Sequence, residues 1–363
     1  MKKICLMLNH FQLQDGVCRS ALAIANLLAK RDDVELTLIP LFRYDNSAHK
    51  YLSSRVKVKP VFRTYFTGMS SIIKLIPAKW LYYIIVGNKY DVNIAFQFGL
   101  SQLIISAGKN DKILSIGWMH GYDYDMVMKP YYLKMDKMVC VSQCNAERLK
   151  MDLNGMVPVD YCYNPIDDEQ VRKLGTSPIS IKRNESVLFS TVGRISEEKG
   201  YSRLLNCVKK LKTDGYIFQL WVIGDGGLLK SLKQQAKEQD IEDYVTFMGG
   251  QNNPHAFTSK SDVFICASFS EGYSTACTEA IMLNVPVIST KVSGAEEIIS
   301  EAGCGLVCDN SEDALYDTIK RVLNEPTLVT QWKETLKTTK YNFSPVRRFE
   351  RFLRIVNLPS INK

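Results

Sequence analysis

Histidine and long apolar runs are what this sequence has least of. It has four histidines among 363 residues, and no apolar run reaches the roughly eighteen residues that a membrane-spanning helix needs. The ten cysteines form no zinc motif, because Cys140 and Cys144, like Cys304 and Cys308, are separated by three residues instead of two and have no histidine beside them. With no signal-peptide cleavage pattern after MKKICLMLNHFQ, we expect a cytoplasmic protein with reduced, buried thiols.

Acidic residues are missing from one long segment, since none lies between Asp45 and Asp91. The net charge of +8 belongs to residues 1–165, which hold 21 Lys and Arg against 13 Asp and Glu, whereas residues 166–363 hold 25 of each. The cations of residues 50–89 stand among bulky apolar side chains; they are Lys50, Arg55, Lys57, Lys59, Arg63, Lys74, Lys79 and Lys89. This mixture fits a surface that rests on anionic lipid, and it also fits a solvated helix face over a core. We expect no nucleic-acid partner, because no nucleic-acid motif accompanies the charge.

Short β-rich runs alternate with longer amphipathic stretches along the chain. The first runs are ICLML, VELTLIPL, VNIAFQF, KILSIGW and KMVCVS. After a charged break near 165–185 the alternation starts again with VLFSTVG, FQLWVIG, YVTFMGG, DVFICAS, VPVIST and GLVCD. Such alternation predicts an α/β fold in which helices cover both faces of a parallel sheet. We therefore expect two doubly wound domains, 1–165 and 166–340, with ligands bound in loops at the carboxyl ends of the strands.

The first loop of the second domain, VGRISEEKG, suits a phosphate. Gly193 lets the backbone approach a ligand, and Arg194 and Lys199 supply two cations within one turn between strand and helix. The alternative is that both cations only pair with the neighbouring Glu197 and Glu198. The next loop, VIGDGG, is by itself a weaker phosphate or turn signal.

The stretch SEGYSTACTEA places Glu271 and Glu279 eight positions apart around small residues, directly after the buried run DVFICASF. Glu271 falls in the loop that ends this strand. Tyr273, Ser274 and Thr275 then lead into a helix whose free N–H groups and positive dipole end favour an anion. Two acceptor-only carboxylates around an anion site fit a sugar nucleotide, which has hydroxyls on both sides of its diphosphate. Either acid alone would be read more simply as a helix cap.

Five segments now resemble a known family: VGRISEEKG, VIGDGG, VTFMGG, SEGYSTACTEA and VPVISTKVSGAEEII. They stand in the order and approximate spacing of the retaining, GT-B-fold glycosyltransferases of family 4, and EGYSTACTEA is similar to the E-x7-E motif of that family. The resemblance implies two Rossmann-like doubly wound domains facing across a cleft, with the nucleotide sugar held mainly by the second. It also implies that a last helix, within 341–363, completes the first domain.

The resemblance assigns roles in the second domain residue by residue. Arg194 and Lys199 would stabilise the diphosphate as the glycosidic bond breaks, and Glu271 would hold hydroxyls of the donor sugar. Glu279 would accept hydrogen bonds from the ribose. The other donor-binding positions that it implies are Gly193, Gly224, Gly249, Tyr273, Ser274 and Thr275.

Histidines supply further candidates in the first domain. His120 follows the run KILSIGWM, which is a pocket position, and matches a position near the sugar and acceptor in the family, although a lone histidine is more often structural. His10 also follows a strand and could border the acceptor. Asp123 could orient acceptor hydroxyls or could simply begin a helix. We expect His49 and His255 at the surface.

The loop DGVCRS departs from the family pattern. The resemblance places Gly16 at the diphosphate of the donor, but Asp15 stands where many members have the first of two glycines. Its carboxylate adds negative charge beside an expected anion, which argues against that contact.

The first hypothesis is a retaining glycosyltransferase, a hexosyltransferase, that builds a cell-surface polysaccharide such as capsule, O-antigen or exopolysaccharide. Its donor would be a nucleotide sugar, with UDP favoured by the look of EGYSTACTEA, and its acceptor a saccharide or polyprenyl-diphosphate-linked saccharide. Residues 50–89 would hold it on the anionic inner face of the cell membrane. We expect no cofactor and no divalent metal, because no Asp-x-Asp motif stands at a strand end. The alternatives are a sugar-nucleotide epimerase of the same fold and a non-catalytic subunit that binds nucleotide sugar.

Overall fold

The computed structural model describes residues 1–12, 15–62, 64–122, 128–181, 183 and 186–360. The chain divides into two compact units, one formed by Met1–Ile166 with Pro345–Lys363 and the other by Asp167–Ser344. The sequence placed the return to the first domain at residue 341, and the structure places it at Pro345.

A parallel sheet of seven strands forms the centre of the first unit. The strands are Lys2–Leu8 (β1), Val34–Pro40 (β2), Lys57–Val58 (β3), Val92–Ala95 (β4), Leu114–Met119 (β5), Lys137–Cys140 (β6) and Val159–Tyr161 (β7). Their spatial order is β3-β2-β1-β4-β5-β6-β7, so that Ile4 of the central strand pairs with Leu36 on one side and Val92 on the other. The strand order reverses direction at β1 and β4, which is where a doubly wound sheet opens a crevice for ligands.

The second unit contains a parallel sheet of six strands. They are Val187–Val192 (β8), Phe218–Ile223 (β9), Val245–Gly249 (β10), Val263–Cys266 (β11), Val287–Thr290 (β12) and Leu306–Cys308 (β13). Their order is β10-β9-β8-β11-β12-β13, with the reversal between β8 and β11. Phosphate-binding candidates of the sequence, VGRISEEKG and SEGYSTACTEA, follow these two strands.

Helices cover both sheets. In the first unit they are Gly16–Ala29 (α1), Met69–Ile73 (α2), Ala78–Ile85 (α3), Leu100–Ser106 (α4), Lys129–Tyr132 (α5), Gln143–Asp152 (α6) and, at the end of the chain, Pro345–Ile355 (α15). In the second they are Asp168–Gly175 (α7), Tyr201–Thr213 (α8), Leu229–Glu238 (α9), Pro254–Thr258 (α10), Thr275–Met282 (α11), Ala295–Ala302 (α12), Glu312–Asn324 (α13) and Pro326–Thr339 (α14). Short 3₁₀ turns lie at Asn46–Lys50, Glu197–Lys199 and Lys340–Phe343.

The alternation read from the sequence is confirmed, because all eleven β-rich runs contain strands. The sequence missed β3 and β7, which have two and three residues and lie at the sheet edges, where little burial marks them. It also missed α7, whose charged residues look like a linker. Asp167 caps this helix by accepting a hydrogen bond from the N–H of Gln170, and its buried Val171 packs it into the second unit.

The last helix, α15, packs in the first unit through one apolar face. Phe349, Phe352 and Leu353 are fully buried. Arg351 lies over the ring of Tyr161 at 3.4 Å from the centroid and forms a 2.6 Å ion pair with Asp160, which fixes the helix beside β7.

Two expectations drawn from composition can be compared with this fold. No helix in the described part of the chain has the length and apolarity needed to cross a membrane. All ten cysteines are free thiols, and every one except Cys144 is buried, as predicted.

Candidate functional site

Main-chain hydrogen bonds connect the loops that follow β8, β9 and β10. The N–H of Gly193 donates to the carbonyl of Ile223 (3.1 Å), and the N–H of Gly224 donates to the carbonyl of Gly249 (2.9 Å). A Cβ at Gly224 would lie 1.9 Å from the carbonyl oxygen of Gly193, so only glycine allows this close approach. Of the four glycines predicted to bind donor, the three in the second unit therefore lie together at the carboxyl ends of neighbouring strands.

Lys199 and Glu271 form a largely buried ion pair in the second unit. Nζ of Lys199 lies 2.7 Å from Oε1 of Glu271, and the same oxygen accepts a 2.7 Å hydrogen bond from the hydroxyl of Ser268. Burial lowers the pKa of Lys199, but the neighbouring carboxylate outweighs burial, so that the pKa is raised. The ammonium group stays charged and keeps further N–H donors for an anionic ligand.

The alternative pairing considered for this loop is absent among the residues that the structure describes. Neither Arg194 nor Lys199 forms an ion pair with Glu197 or Glu198, and Lys199 reaches across to the loop after β11 instead. Arg194 is exposed, five positions before Lys199 on the same loop. A single loop thus presents one partly buried cation, held by Glu271, and one exposed cation.

The N-terminus of α11 follows Glu271 closely. Ser274 caps the helix, and its Oγ accepts the N–H of Cys277 (3.3 Å), while Thr275 is the first helical residue. Tyr273 is buried beside Gly294, where a Cβ would lie 2.8 Å from the tyrosine ring. The first N–H groups of a helix have no intrahelical partner, so those not used by Ser274 can receive an anion next to Glu271.

Glu279 lies within α11 and is paired with a residue that the sequence did not assign to the site. Oε2 of Glu279 is 3.3 Å from Nε2 of His255, and both residues are buried, at 6% and 7% exposure. The expectation that His255 is a surface residue is wrong. Pro254 begins α10 and directs His255 inward, and the side-chain N–H of Asn253 anchors this turn on the carbonyl of Leu174 (3.0 Å). His49, in contrast, is exposed as expected.

The first unit has a second polar cluster at the ends of its central strands. The N–H of His10, after β1, donates to Oε1 of Gln97, after β4 (3.1 Å), and Nε2 of His10 lies 3.3 Å from Oδ2 of Asp15. Oδ1 of Asp15 accepts the N–H of Val17 (3.0 Å), so Asp15 caps α1 and Gly16 is its first residue. A carboxylate of the chain itself thus occupies the place where a phosphate would meet this helix.

Asp15 is ionised at neutral pH. Burial raises its pKa, but hydrogen bonds from His10 and from the N–H of Val17 outweigh burial, so that the pKa lies below the usual value. A diphosphate at Gly16 would therefore meet a negative charge. The cluster better fits hydroxyl groups of a ligand, which can donate to the carboxylate.

His120 directly follows β5 and contributes a buried imidazole. Its ring packs edge-on against Phe96 at 4.6 Å and interacts with the main chain of that residue, and neither ring nitrogen makes a well-aligned hydrogen bond to a described residue. Burial lowers the pKa of His120 to about 4, against the opposing attraction of Asp15. The imidazole is therefore neutral and can both donate and accept a hydrogen bond. Asp123, the other candidate near this position, lies outside the described residues.

Within the described chain, His10, Asp15 and Cys18 place potential metal-ligand atoms within 4.8 Å of one another. Burial raises the pKa of Cys18 to about 12, and its Sγ donates to the carbonyl of His10 (3.4 Å). Because a metal would require the thiolate, this network fits hydrogen bonding better than coordination.

Three residues at these sites, Gln97, Ser268 and His255, were not predicted from the sequence. Gln97 and Ser268 each follow a strand, so the rule that selected His10 and His120 would have found them. His255 had no such signal, because only the packing of α10 against α11 brings it to Glu279.

Comparison with known proteins gives a consistent result. Residues 176–339 match the family described as "Glycosyl transferases group 1". Over 219 residues the chain is 28% identical to N-acetylgalactosamine-N,N'-diacetylbacillosaminyl-diphospho-undecaprenol 4-alpha-N-acetylgalactosaminyltransferase of Campylobacter jejuni, a match that spans 60% of this chain and 58% of that protein. It is 25% identical over 326 residues to the lipopolysaccharide core biosynthesis glycosyltransferase LpsE of Rhizobium meliloti, which covers 90% of each chain.

Solved structures of similar architecture cover nearly the whole chain. Anabaena HepE, crystallised with UDP and glucose, superimposes with a TM-score of 0.74 over 98% of this chain and 100% of its own, at 14% identity. WaaG, a glycosyltransferase of lipopolysaccharide biosynthesis, gives a TM-score of 0.70 over 97% of this chain and 99% of its own, also at 14% identity. At such identity the likeness describes the fold.

Proposed function

For this chain, which is a glycosyltransferase with the GT-B fold, we propose a retaining enzyme of family 4 that uses a UDP-sugar. Its acceptor is a saccharide or a polyprenyl-diphosphate-linked saccharide of a cell-surface polysaccharide. The observation that carries the proposal is the Lys199–Glu271 pair beside the N-terminus of α11, with buried Glu279 farther along the same helix. The Campylobacter relative is named for an undecaprenol-diphosphate acceptor, and HepE was crystallised with UDP, which supports these two classes of substrate.

In the proposed reaction, each charged group has one task. The bond between the anomeric carbon and the β-phosphate oxygen breaks, and a bond from that carbon to the acceptor oxygen forms on the same face of the sugar. The acceptor proton passes to the departing diphosphate. Lys199, Arg194 and the N–H groups of α11 stabilise the growing negative charge, while Glu271 holds sugar hydroxyls. Glu279 receives the ribose hydroxyls.

His10, Asp15 and His120 belong to the first unit, and we assign them to the acceptor and the sugar. The ionised Asp15 carboxylate and the neutral His120 imidazole suit hydroxyl groups better than phosphate. The donor diphosphate is then held by the second unit, and Gly16 supports the loop without binding phosphate.

Nucleotide binding tests the donor assignment directly. Wild-type protein at a UDP concentration one hundred times the dissociation constant should gain about 2.7 kcal/mol of stability, which raises its melting temperature measurably. GDP, ADP and CMP should give less. Glu279→Ala and Arg194→Ala should lose most of the shift. No stabilisation by any of the four nucleotides would contradict the proposal, and UDP-sugar conversion without any acceptor dependence would favour the epimerase.

Transfer should also be independent of divalent metal. Since Lys199 and Arg194 supply the positive charge, activity in excess EDTA should equal activity in added Mg²⁺ or Mn²⁺ within about twofold. Loss of activity in EDTA, restored by one of these ions, would contradict this prediction and direct attention to His10, Asp15 and Cys18.

Within the basic stretch, the exposed lysines that stand among exposed apolar side chains lie in residues 66–89. We call this surface the α2–α3 face. Arg55 and Lys57 are neutralised by Asp32 and Glu35, whereas Lys59 donates to the main chain. Lys50 is exposed on the 3₁₀ turn Asn46–Lys50, outside this face. The cations of the face itself, Lys74, Lys79 and Lys89, are exposed and form no ion pair with a described residue. Arg63 lies outside the described residues.

Large apolar side chains surround these lysines. Leu75, Trp80 and Ile84 are 84%, 68% and 74% exposed, and further exposed members of the face are Phe66, Ile72, Ile76 and Tyr83. Leu81, Tyr82 and Ile85 on the other side of α3 are buried in the core. Helix α3 is therefore apolar on both sides, which is typical of a segment that contacts a second apolar phase. We propose that the α2–α3 face rests on an anionic membrane, with the lysines at the headgroups.

A further inference from the structure

His255 is a buried side chain whose hydrogen-bonding capacity the fold leaves unused. It is 7% exposed, and neither ring nitrogen makes an aligned hydrogen bond to a described residue, although Nε2 lies 3.3 Å from Oε2 of Glu279. Burying a polar group without a partner costs on the order of 1–3 kcal/mol. Since burial of His255 destabilises the fold, we look for its role at the neighbouring carboxylate of Glu279.

The surroundings of the pair lead toward the donor site. A small recess is lined by His255, Glu279, Val192, Thr258, Ala276 and other side chains. Val192 immediately precedes Gly193, and Ala276 is in the first turn of α11. The recess therefore borders the end of β8 and the first turn of α11, which are adjacent in sequence to the loops that contain Lys199 and Glu271.

The carboxylate of Glu279 receives two ribose hydroxyls at once only when both of its oxygens face the ligand. Nε2 of His255 lies 3.3 Å from Oε2, and an N–H that aligns there restricts the rotation of the carboxylate. Helix α10 is held in place by Pro254 at its first turn and by the hydrogen bond from Asn253 to Leu174, so the imidazole is delivered from a fixed element. A carboxylate held in this way needs less ordering when the ligand binds.

We propose that His255 is a positioning residue of the donor site, which holds the Glu279 carboxylate in the orientation that binds the ribose hydroxyls of the nucleotide. This inference rests on the proposed function, because it assigns the ribose to Glu279. His255 itself does not touch the reacting atoms. Its contribution is therefore to donor affinity, and the maximal transfer rate changes little.

The test compares UDP with 2′,3′-dideoxy-UDP, which lacks the hydroxyls that Glu279 would bind. Calorimetry measures both affinities for wild type, His255→Leu, His255→Gln and Glu279→Gln. Leucine should weaken UDP binding on the order of tenfold and leave the dideoxy analogue unchanged, so that the preference for UDP shrinks. Glutamine keeps an N–H near the position of Nε2 and should restore the preference. Thr258→Val, which alters the same recess and leaves both members of the pair in place, should behave as wild type.

The outcomes separate the inference from the function on which it rests. Equal weakening of both ligands by His255→Leu, or no change in either, overturns the positioning role. An unchanged preference in Glu279→Gln shows that the ribose is not at Glu279, which overturns the donor assignment as well. Wild-type protein that binds neither ligand overturns both. If His255→Leu does not fold, His255→Gln and His255→Asn decide, since only the longer amide reaches Glu279 and only it should keep the preference for UDP.

Discussion

Replacing Lys199 with methionine is expected to lower the transfer rate by about 100- to 1,000-fold, as the loss of one preorganised donor to a developing oxyanion typically does. The ammonium is largely buried, is held 2.7 Å from Glu271 and keeps its charge. It therefore needs no rearrangement when the diphosphate becomes more negative. Steady-state kinetics with saturating UDP-sugar measure the effect, which should appear in kcat more than in KM for the acceptor.

A matched variant separates catalysis from folding. Lys199→Met alone leaves the Glu271 carboxylate, with Ser268 as its remaining partner, in a largely buried site, and breaking such a pair can cost about 3–5 kcal/mol of stability. The double variant Lys199→Met with Glu271→Gln has no charge in this place and should regain most of the melting temperature. It should remain as inactive as the single variant. Recovered activity in the double variant would show that Lys199 only neutralises Glu271.

Replacing Lys74, Lys79 and Lys89 together with glutamine should lower the partition coefficient onto anionic vesicles by about 150-fold. Each lysine near an anionic surface contributes about 1 kcal/mol, and the three amount to about 3 kcal/mol. Sedimentation with vesicles that contain phosphatidylglycerol measures the change, and binding of wild type should also fall as salt rises. Transfer to a short water-soluble acceptor should be unaffected, because these residues lie outside both polar sites.

The control is an equally charged set elsewhere. Lys230, Lys233 and Lys237 are exposed on α9 in the second unit. This helix exposes no large apolar side chain. Their replacement with glutamine changes the net charge by the same amount and should change vesicle binding little. Equal losses for both sets would mean that net charge alone attracts the protein, and that the α2–α3 face has no specific role.

The sequence was enough to predict which polar and charged residues follow the strands. A doubly wound fold brings the loops after its parallel strands to the same edge of the sheet. Alternating runs located eleven strands, and the segments that follow two of these strands contain Gly193, Arg194, Lys199, Glu271 and Glu279. The basic, acid-free segment 46–90 was equally visible. These are local properties, determined by residue type and spacing.

Only the tertiary structure decided which of these residues meet. It paired Lys199 with Glu271 instead of its sequence neighbours Glu197 and Glu198, and it buried His255 against Glu279, 24 positions away. It turned Asp15 into the cap of α1, and it showed that Arg55 and Lys57 are neutralised while Lys74, Lys79 and Lys89 are not. The physical reason is the same in each case: an ion pair or a buried contact depends on distance in space, and spacing along the chain determines that distance only within one helix, strand or turn.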